Sequence, residues 1–159
     1  MHLQASDGVV RHGTLDVPRA FERQFEQATR YLSRDAVMRR IIARAEHERA
    51  RVHLRINRRD DDSFDPQTNT IAWDPFSALR TTAGGRQSPA LGLGHELAHA
   101  TVRASILARG SRVHLARYDD AEERRVILGA ERHAARTLGE DTRHDHAGRC
   151  YRVASPLGR

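Results

Sequence analysis

The chemistry in this sequence concentrates in the run Leu93-Gly94-His95-Glu96-Leu97-Ala98-His99-Ala100, an H-E-x-x-H pattern. On a helix, residues four apart share a face, with Cβ atoms roughly 5 to 6 Å apart. Both imidazoles then reach one cation, and neutral imidazole nitrogen binds Zn²⁺ at about 2.0 to 2.1 Å. A catalytic zinc takes three protein ligands and keeps its fourth position for water. Glu96, beside the first ligand, is placed to act as general base, accepting a proton from a water that attacks a carbonyl and passing it to the leaving amine. The pattern therefore asks for one Zn²⁺ ion, with His95 and His99 as ligands and Glu96 as catalytic base. Leu97, Ala98 and Ala100 are uncharged, and no proline interrupts the helix.

A third ligand is expected from Asp119-Asp120-Ala121-Glu122-Glu123-Arg124-Arg125-Val126-Ile127. Glu123 lies three residues before Val126, four before Ile127 and seven before Ala130, which puts it on an inward apolar stripe that Glu122 shares less. A buried carboxylate is costly unless paired or bound to metal, so Glu123 is the candidate. The competing reading has both glutamates merely favouring a helix N-terminus. Tyr118 is a candidate donor to an oxyanion or a packing residue, and Arg143 a candidate substrate contact or, by preference, a partner of Glu140. His144 and His146, spaced i, i+2 around Asp145, read as solvated loop residues and stay outside the ligand set. Cys150 lacks a nucleophile motif.

The elements that must hold these residues follow from periodicity. Pro18, Phe21, Phe25, Ala28 and Leu32 mark an amphipathic helix, and Ser33 caps a second one bearing Ala36, Val37, Ile41 and Ala45 and running to about Arg49. Val52, Leu54 and Ile56 alternate as a half-buried strand, with Thr70 to Trp73 as its antiparallel partner after the charged turn from Arg58 to Pro66. Trp73 anchors a small sheet, or its strand is the edge to which a peptide adds. Thr81 to Gln87 reads as a flexible loop around Gly84-Gly85. Ser88-Pro89 supplies an N-cap and a first helical residue for the active-site helix, about 89–108. Asp119-Asp120 opens a helix extending toward Leu138, and the chain from Gly139 on is polar and irregular. The fold class expected is α+β, mostly helical with a small antiparallel sheet. The domain plan is a flexible leader, 1–17, and a single domain, 18–159.

Composition narrows the function classes. The 159 residues are 38% apolar, enough for one modest core. No apolar run approaches the roughly 18 residues of a membrane span, and residues 1–13 lack the apolar block of a signal peptide. The single cysteine excludes an internal disulfide and a Cys-rich zinc knuckle. A net charge of +6 makes the surface electropositive. All 27 Lys+Arg residues are arginine. A GC-rich codon bias explains that, and so does escape from ubiquitin tagging in a eukaryotic cell.

The order of motifs from about Thr70 to Tyr151 resembles the NleD-like effector zinc metallopeptidases of bacterial type III systems, also seen as toxin domains. The resemblance rests on Trp73-Asp74-Pro75, the His95-to-Ala100 run, Glu123-Arg124-Arg125-Val126-Ile127, and Glu131, Arg143 and Tyr151. The 23 residues between His99 and Glu123 are similar to the gluzincin spacing. The sequence departs by Leu128 before Gly129 and by Arg132 after Glu131. The resemblance implies a compact zincin fold in which His95, His99 and Glu123 bind zinc and Glu96 is the base. It further implies a secreted or injected virulence effector or toxin, without a cleavable signal peptide, acting in a target-cell cytoplasm on a protein substrate. A host signalling protein or a cognate immunity protein is the implied partner, and a membrane is not. Two other readings stand beside it: a basic nucleic-acid-binding module, and a catalytically degenerate zincin serving as an interaction domain.

Overall fold

The computed structural model describes residues 8–47 and 51–159 as an α+β fold. It opens with a hairpin, β1 (Val9–His12) and β2 (Leu15–Pro18), where a flexible leader was expected. Leu15 and Val17 alternate inward into the core, which is what holds this segment. Helices α1 (Glu22–Leu32) and α2 (Ala36–Ala45) follow. Phe25, Ala28 and Leu32 are buried on α1, as their spacing predicts. On α2 the buried residues are Met38, Ile42 and Ala45, of which only Ala45 was expected, and the cap is Asp35 and not Ser33. Asp35 Oδ1 accepts the Met38 amide at 2.9 Å. The expected end of that helix, near Arg49, lies outside the described residues.

The main sheet is mixed, in the order β1-β2-β3-β5-β4, with β3 (Val52–Ile56), β4 (Ser63–Asp65) and β5 (Thr70–Trp73). β5 runs parallel to β3, contrary to the antiparallel pairing expected. The reason is β4, which takes up part of the presumed turn. Asp65 accepts the Gln67 amide and the Thr68 hydroxyl, and Asn69 adopts φ +49°, so a tight turn joins β4 to β5 as an antiparallel hairpin. That returns the chain beside β3 in the same direction. Trp73 is fully buried and its Nε1 donates to the Pro89 carbonyl at 2.8 Å, so its anchoring role holds and β5 is not the edge.

A second sheet joins β6 (Ser77–Arg80) to β7 (Arg86–Gln87) and to β10 (Arg149–Arg152), segments expected in part as loop and irregular tail. The H-E-x-x-H helix α3 (Pro89–Ala100) starts as expected, with Ser88 Oγ accepting the Leu91 amide. It stops earlier than the expected residue 108. Thr101 Oγ1 donates back to the Leu97 carbonyl, the Thr101-Val102 pair is β-branched, and Arg103 is extended before α4 (Ala104–Gly110) begins. The short strands β8 (His114–Leu115) and β9 (Asp119–Asp120) lead to α5 (Ala121–Val126), a π-helical turn over Ile127–Glu131, and α6 (Arg132–Leu138).

One cluster of buried side chains, from Leu15 to Ala135, forms the core, and α3 lies at its centre. It touches α1, α2, α5 and strands β4, β5 and β6. Gly94 permits this, since a Cβ there would meet Met38 Sδ at 3.0 Å and Leu32 Cδ2 at 3.2 Å. Among the described residues no helix is long and apolar enough to cross a membrane.

Candidate metal centre

His95 and His99 lie one turn apart on α3, and their Nε2 atoms are 3.0 Å from each other. Asp120 caps α5 by accepting the Glu123 amide at 2.8 Å, and this first turn directs the Glu123 carboxylate across to both rings. Glu123 Oε2 is 2.9 Å from His95 Nε2, and Oε1 is 3.2 Å from His99 Nε2. Donor atoms of His95, His99 and Glu123 all fall within 4.8 Å of one another, so the three residues expected as ligands form a group able to hold a metal ion.

A second layer stands behind the imidazoles. His95 Nδ1 is 2.6 Å from Glu131 Oε2, and His99 Nδ1 is 2.9 Å from Glu122 Oε1. Each carboxylate is itself gripped. Arg143 donates to Glu131 through Nε and Nη2 at 2.8 and 2.6 Å, and Gln87 Nε2 adds a third contact at 2.9 Å. Arg125 forks onto Glu122 at 2.8 and 2.6 Å. An imidazole that donates from Nδ1 to a carboxylate has its tautomer fixed and turns the Nε2 lone pair outward.

These contacts revise three expectations. Glu123 is the residue that faces both Nε2 atoms, but its side chain is 21% exposed against 4% for Glu122, so burial on an apolar stripe does not select it. Glu122 and Glu123 both have imidazole partners beyond any effect at the helix start. Arg143 pairs with Glu131, whereas Glu140 accepts from Tyr31 Oη and from the Ser88 amide and hydroxyl. The π-helical turn accounts for Glu131: Gly129 sits at φ −101° and ψ −105°, the helix phase changes there, and the next acid faces α3. Glu131 enters the sequence reading only through the resemblance, and Arg143 enters it without Glu131 as its partner, because 36 and 48 residues separate the two from His95.

His146 is the other residue that sequence reasoning left aside. Its Nδ1 pairs with Asp119, which is held at φ +68°, and its Nε2 lies 3.3 Å from Glu123 Oε2. Its ring stacks at 6.1 Å from that of His95. It is not one of the three mutually close donors. Tyr118, in the turn between β8 and β9, lines neither cavity at the centre. Tyr151, on β10, has Arg80 over its ring and is likewise outside the cluster.

The electrostatics follow from packing carboxylates against imidazoles in a largely buried site. Burial disfavours a charged His95, but the hydrogen bonds with Glu123 and Glu131 outweigh it and carry the imidazole up to about 10. His99 is raised against the same burial by Glu122 and Glu123. Burial opposes ionisation of Glu122, yet its Arg125 and His99 contacts bring the carboxyl down to about 2. Glu123 and Glu131 are held lower still. Glu96 is the exception: buried and without such partners, it is raised by desolvation, with His95 and His99 pulling the other way. Asp62 is pushed up to about 8 by burial and by the charges of Glu96 and Asp74, although the Asp74 amide donates to it at 2.7 Å. Its Oδ2 lies 2.7 Å from where a Cβ on Gly92 would stand, so the carboxyl tucks under α3.

Two cavities meet at Glu96, His146 and Asp62. One, about 360 Å³, is lined by His95, Gln87, Glu131 and Arg143; the other, about 290 Å³, by Ser63, Phe64, His99 and Glu123. Comparison of the chain with protein-family models, with curated proteins and with solved structures found no match.

Proposed function

We propose that this protein is a zinc-dependent endopeptidase of zincin type. The observation that carries the reading is the convergence of the His95, His99 and Glu123 donor atoms, with both imidazoles supported through Nδ1 by buried carboxylates. Two imidazoles and one carboxylate suit Zn²⁺ better than Ca²⁺ or Mg²⁺, which require oxygen. When bound, zinc lowers the pKa of a water and polarises a carbonyl.

The chain's own residues perform the rest. Glu96, raised by its burial, accepts the proton of the water whose oxygen bonds to the scissile carbonyl carbon. It then delivers that proton to the amide nitrogen as the C–N bond breaks, leaving a carboxylic acid and an amine. Glu131 and Glu122 keep the two rings in the tautomer and orientation that ligation needs. β4 is the edge strand of the main sheet, and its Ser63 and Phe64 share a cavity with Glu96, His99 and Glu123. A substrate in extended form adds to β4 rather than to β5, which brings its carbonyl toward Glu96. The resemblance to NleD-like effectors makes a protein of a target cell the substrate class, with the chain delivered there as an effector or toxin.

The test is proteolysis by the full chain. Metal-free protein is loaded with Zn²⁺, incubated with eukaryotic or bacterial extract, and the new N-termini are mapped. Specific new termini that vanish with chelator and with Glu96→Gln support the reading. Cleavage retained by Glu96→Gln overturns it, and stoichiometric zinc without turnover assigns an interaction domain instead.

A further inference from the structure

Away from α3, the tip of the β1–β2 hairpin brings an imidazole against two carboxylates. Glu22 and Glu26 are four apart on α1 and therefore share a face. His12, the last residue of β1, lies over them with Nε2 3.3 Å from Glu22 Oε1. Its ring is fixed by an edge-on contact with the buried Phe25, centroids 5.1 Å apart. The tip itself is pinned: Gly13 adopts φ +62°, a Cβ there would lie 1.9 Å from the Glu46 carbonyl oxygen, and the Thr14 amide donates to that oxygen at 2.8 Å.

Two independent features point to a missing partner. His12 Nε2 is shielded from solvent and faces Glu22 Oε1 at 3.3 Å without hydrogen-bond geometry, a state that costs free energy unless something satisfies the nitrogen. Glu22 and Glu26 place like charges at i, i+4. In a chain carrying 27 arginines, neither forms an ion pair with one among the described residues. The nearby Arg39 is engaged with the Ser33 carbonyl at 2.7 Å. One donor atom each from His12, Glu22 and Glu26 lies within 4.8 Å of the other two. Ligands at about 2.0 to 2.1 Å in a tetrahedron stand roughly 3.3 Å apart, the separation seen between His12 and Glu22.

We infer that His12, Glu22 and Glu26 form a second metal site, distinct from the centre on α3, and that it takes Zn²⁺. The imidazole nitrogen favours zinc over the hard cations, and two carboxylates neutralise its charge. The three ligands come from two elements, β1 and α1, and the ion's role is structural. It clips the edge hairpin of the main sheet to α1.

The experiment counts zinc. Metal-free full-length protein is titrated with ZnCl₂ against a chromophoric chelator, alongside Glu26→Gln and the His95→Ala/His99→Ala variant. Glu26 is exposed, so its replacement leaves the fold intact. Glu26→Gln is expected to lose one equivalent of zinc, both in the native background and in the His95→Ala/His99→Ala background. Hydrogen exchange supplies a second readout: zinc slows exchange of the amides of residues 9–18 in the native chain and not in Glu26→Gln. The inference is overturned if Glu26→Gln takes up as many equivalents as the native chain, or if zinc leaves exchange over 9–18 unchanged. Because the criterion is the equivalent lost with Glu26, it is read even if the α3 centre takes up no zinc, a result that would count against the proposed peptidase alone.

Discussion

The cluster on α3 and α5 and the cluster on β1 and α1 use the same side-chain types and differ in what stands behind them. At the first, each imidazole leans through Nδ1 on a carboxylate, and each carboxylate on an arginine. At the second, the His12 ring leans on Phe25, and Glu26 reaches into solvent. Side-chain types alone therefore do not separate the proposed peptidase centre from the proposed clip. The layer behind the ligands does, because a reaction needs its groups held in one geometry while a clip needs only their proximity.

The sharpest way to break this contrast is at Glu96, the proposed base beside the α3 cluster. Glu96→Gln is expected to lower cleavage by about 10²-fold or more, while zinc content by elemental analysis stays unchanged. Removing the support behind His95 comes next. Glu131→Ala leaves the Arg143 guanidinium buried without its carboxylate, and urea unfolding of the metal-free chain is expected to report a loss of about 3 to 5 kcal/mol. Glu122→Gln is milder, because Arg125 is partly exposed and an amide oxygen still accepts. Zinc affinity by chelator competition is expected to fall roughly 10- to 100-fold.

A pH dependence beside the α3 centre is read on a separate scale. Asp62 is raised from the ordinary carboxylate range to about 8, so between those limits the folded chain holds a proton that the unfolded chain releases. Stability then falls as pH rises through that window. Asp62→Asn is expected to raise the Tm of the metal-free chain at pH 8 and to leave it unchanged near pH 3. Equal Tm shifts at both pH values would show that the carboxyl titrates normally.

Much of the α3 centre was legible because it is local. The i, i+4 imidazoles, the Ser88 cap with Pro89 behind it, and the Asp120-capped start of α5 each depend on a few consecutive residues. Glu123 shows the limit of that reasoning. Glu123, which faces both Nε2 atoms, was reached through an argument from burial that applies better to Glu122, since one turn of helix cannot tell which carboxylate meets Nε2 and which meets Nδ1. The sheet shows the same limit. Strand β3 was found from its alternation and β5 as a short extended run, yet their relative direction depended on β4, three residues inside a stretch that reads as a charged turn.

His146 and the Glu131–Arg143 pair lie beyond local pattern. A polar stretch after Gly139 gives no periodicity to read, and its return to α5 is visible only once Asp119 and Arg117 are in place to receive it. The hairpin over residues 9–18 is a similar case, because its two buried side chains are too few to signal a strand without the sheet they join.

By itself, the sequence determined that an H-E-x-x-H helix exists, where it begins, and which acids are available to face it, since caps and helical spacing are set by neighbouring residues. Tertiary structure alone decided which carboxylate supports which ring, that β4 and not β5 borders the cavity, and that His12 meets Glu22 and Glu26. Those outcomes depend on the phase of a π-helical turn, the order of strands and the pinning of a hairpin tip, and each joins residues too far apart in the chain for any local preference to encode.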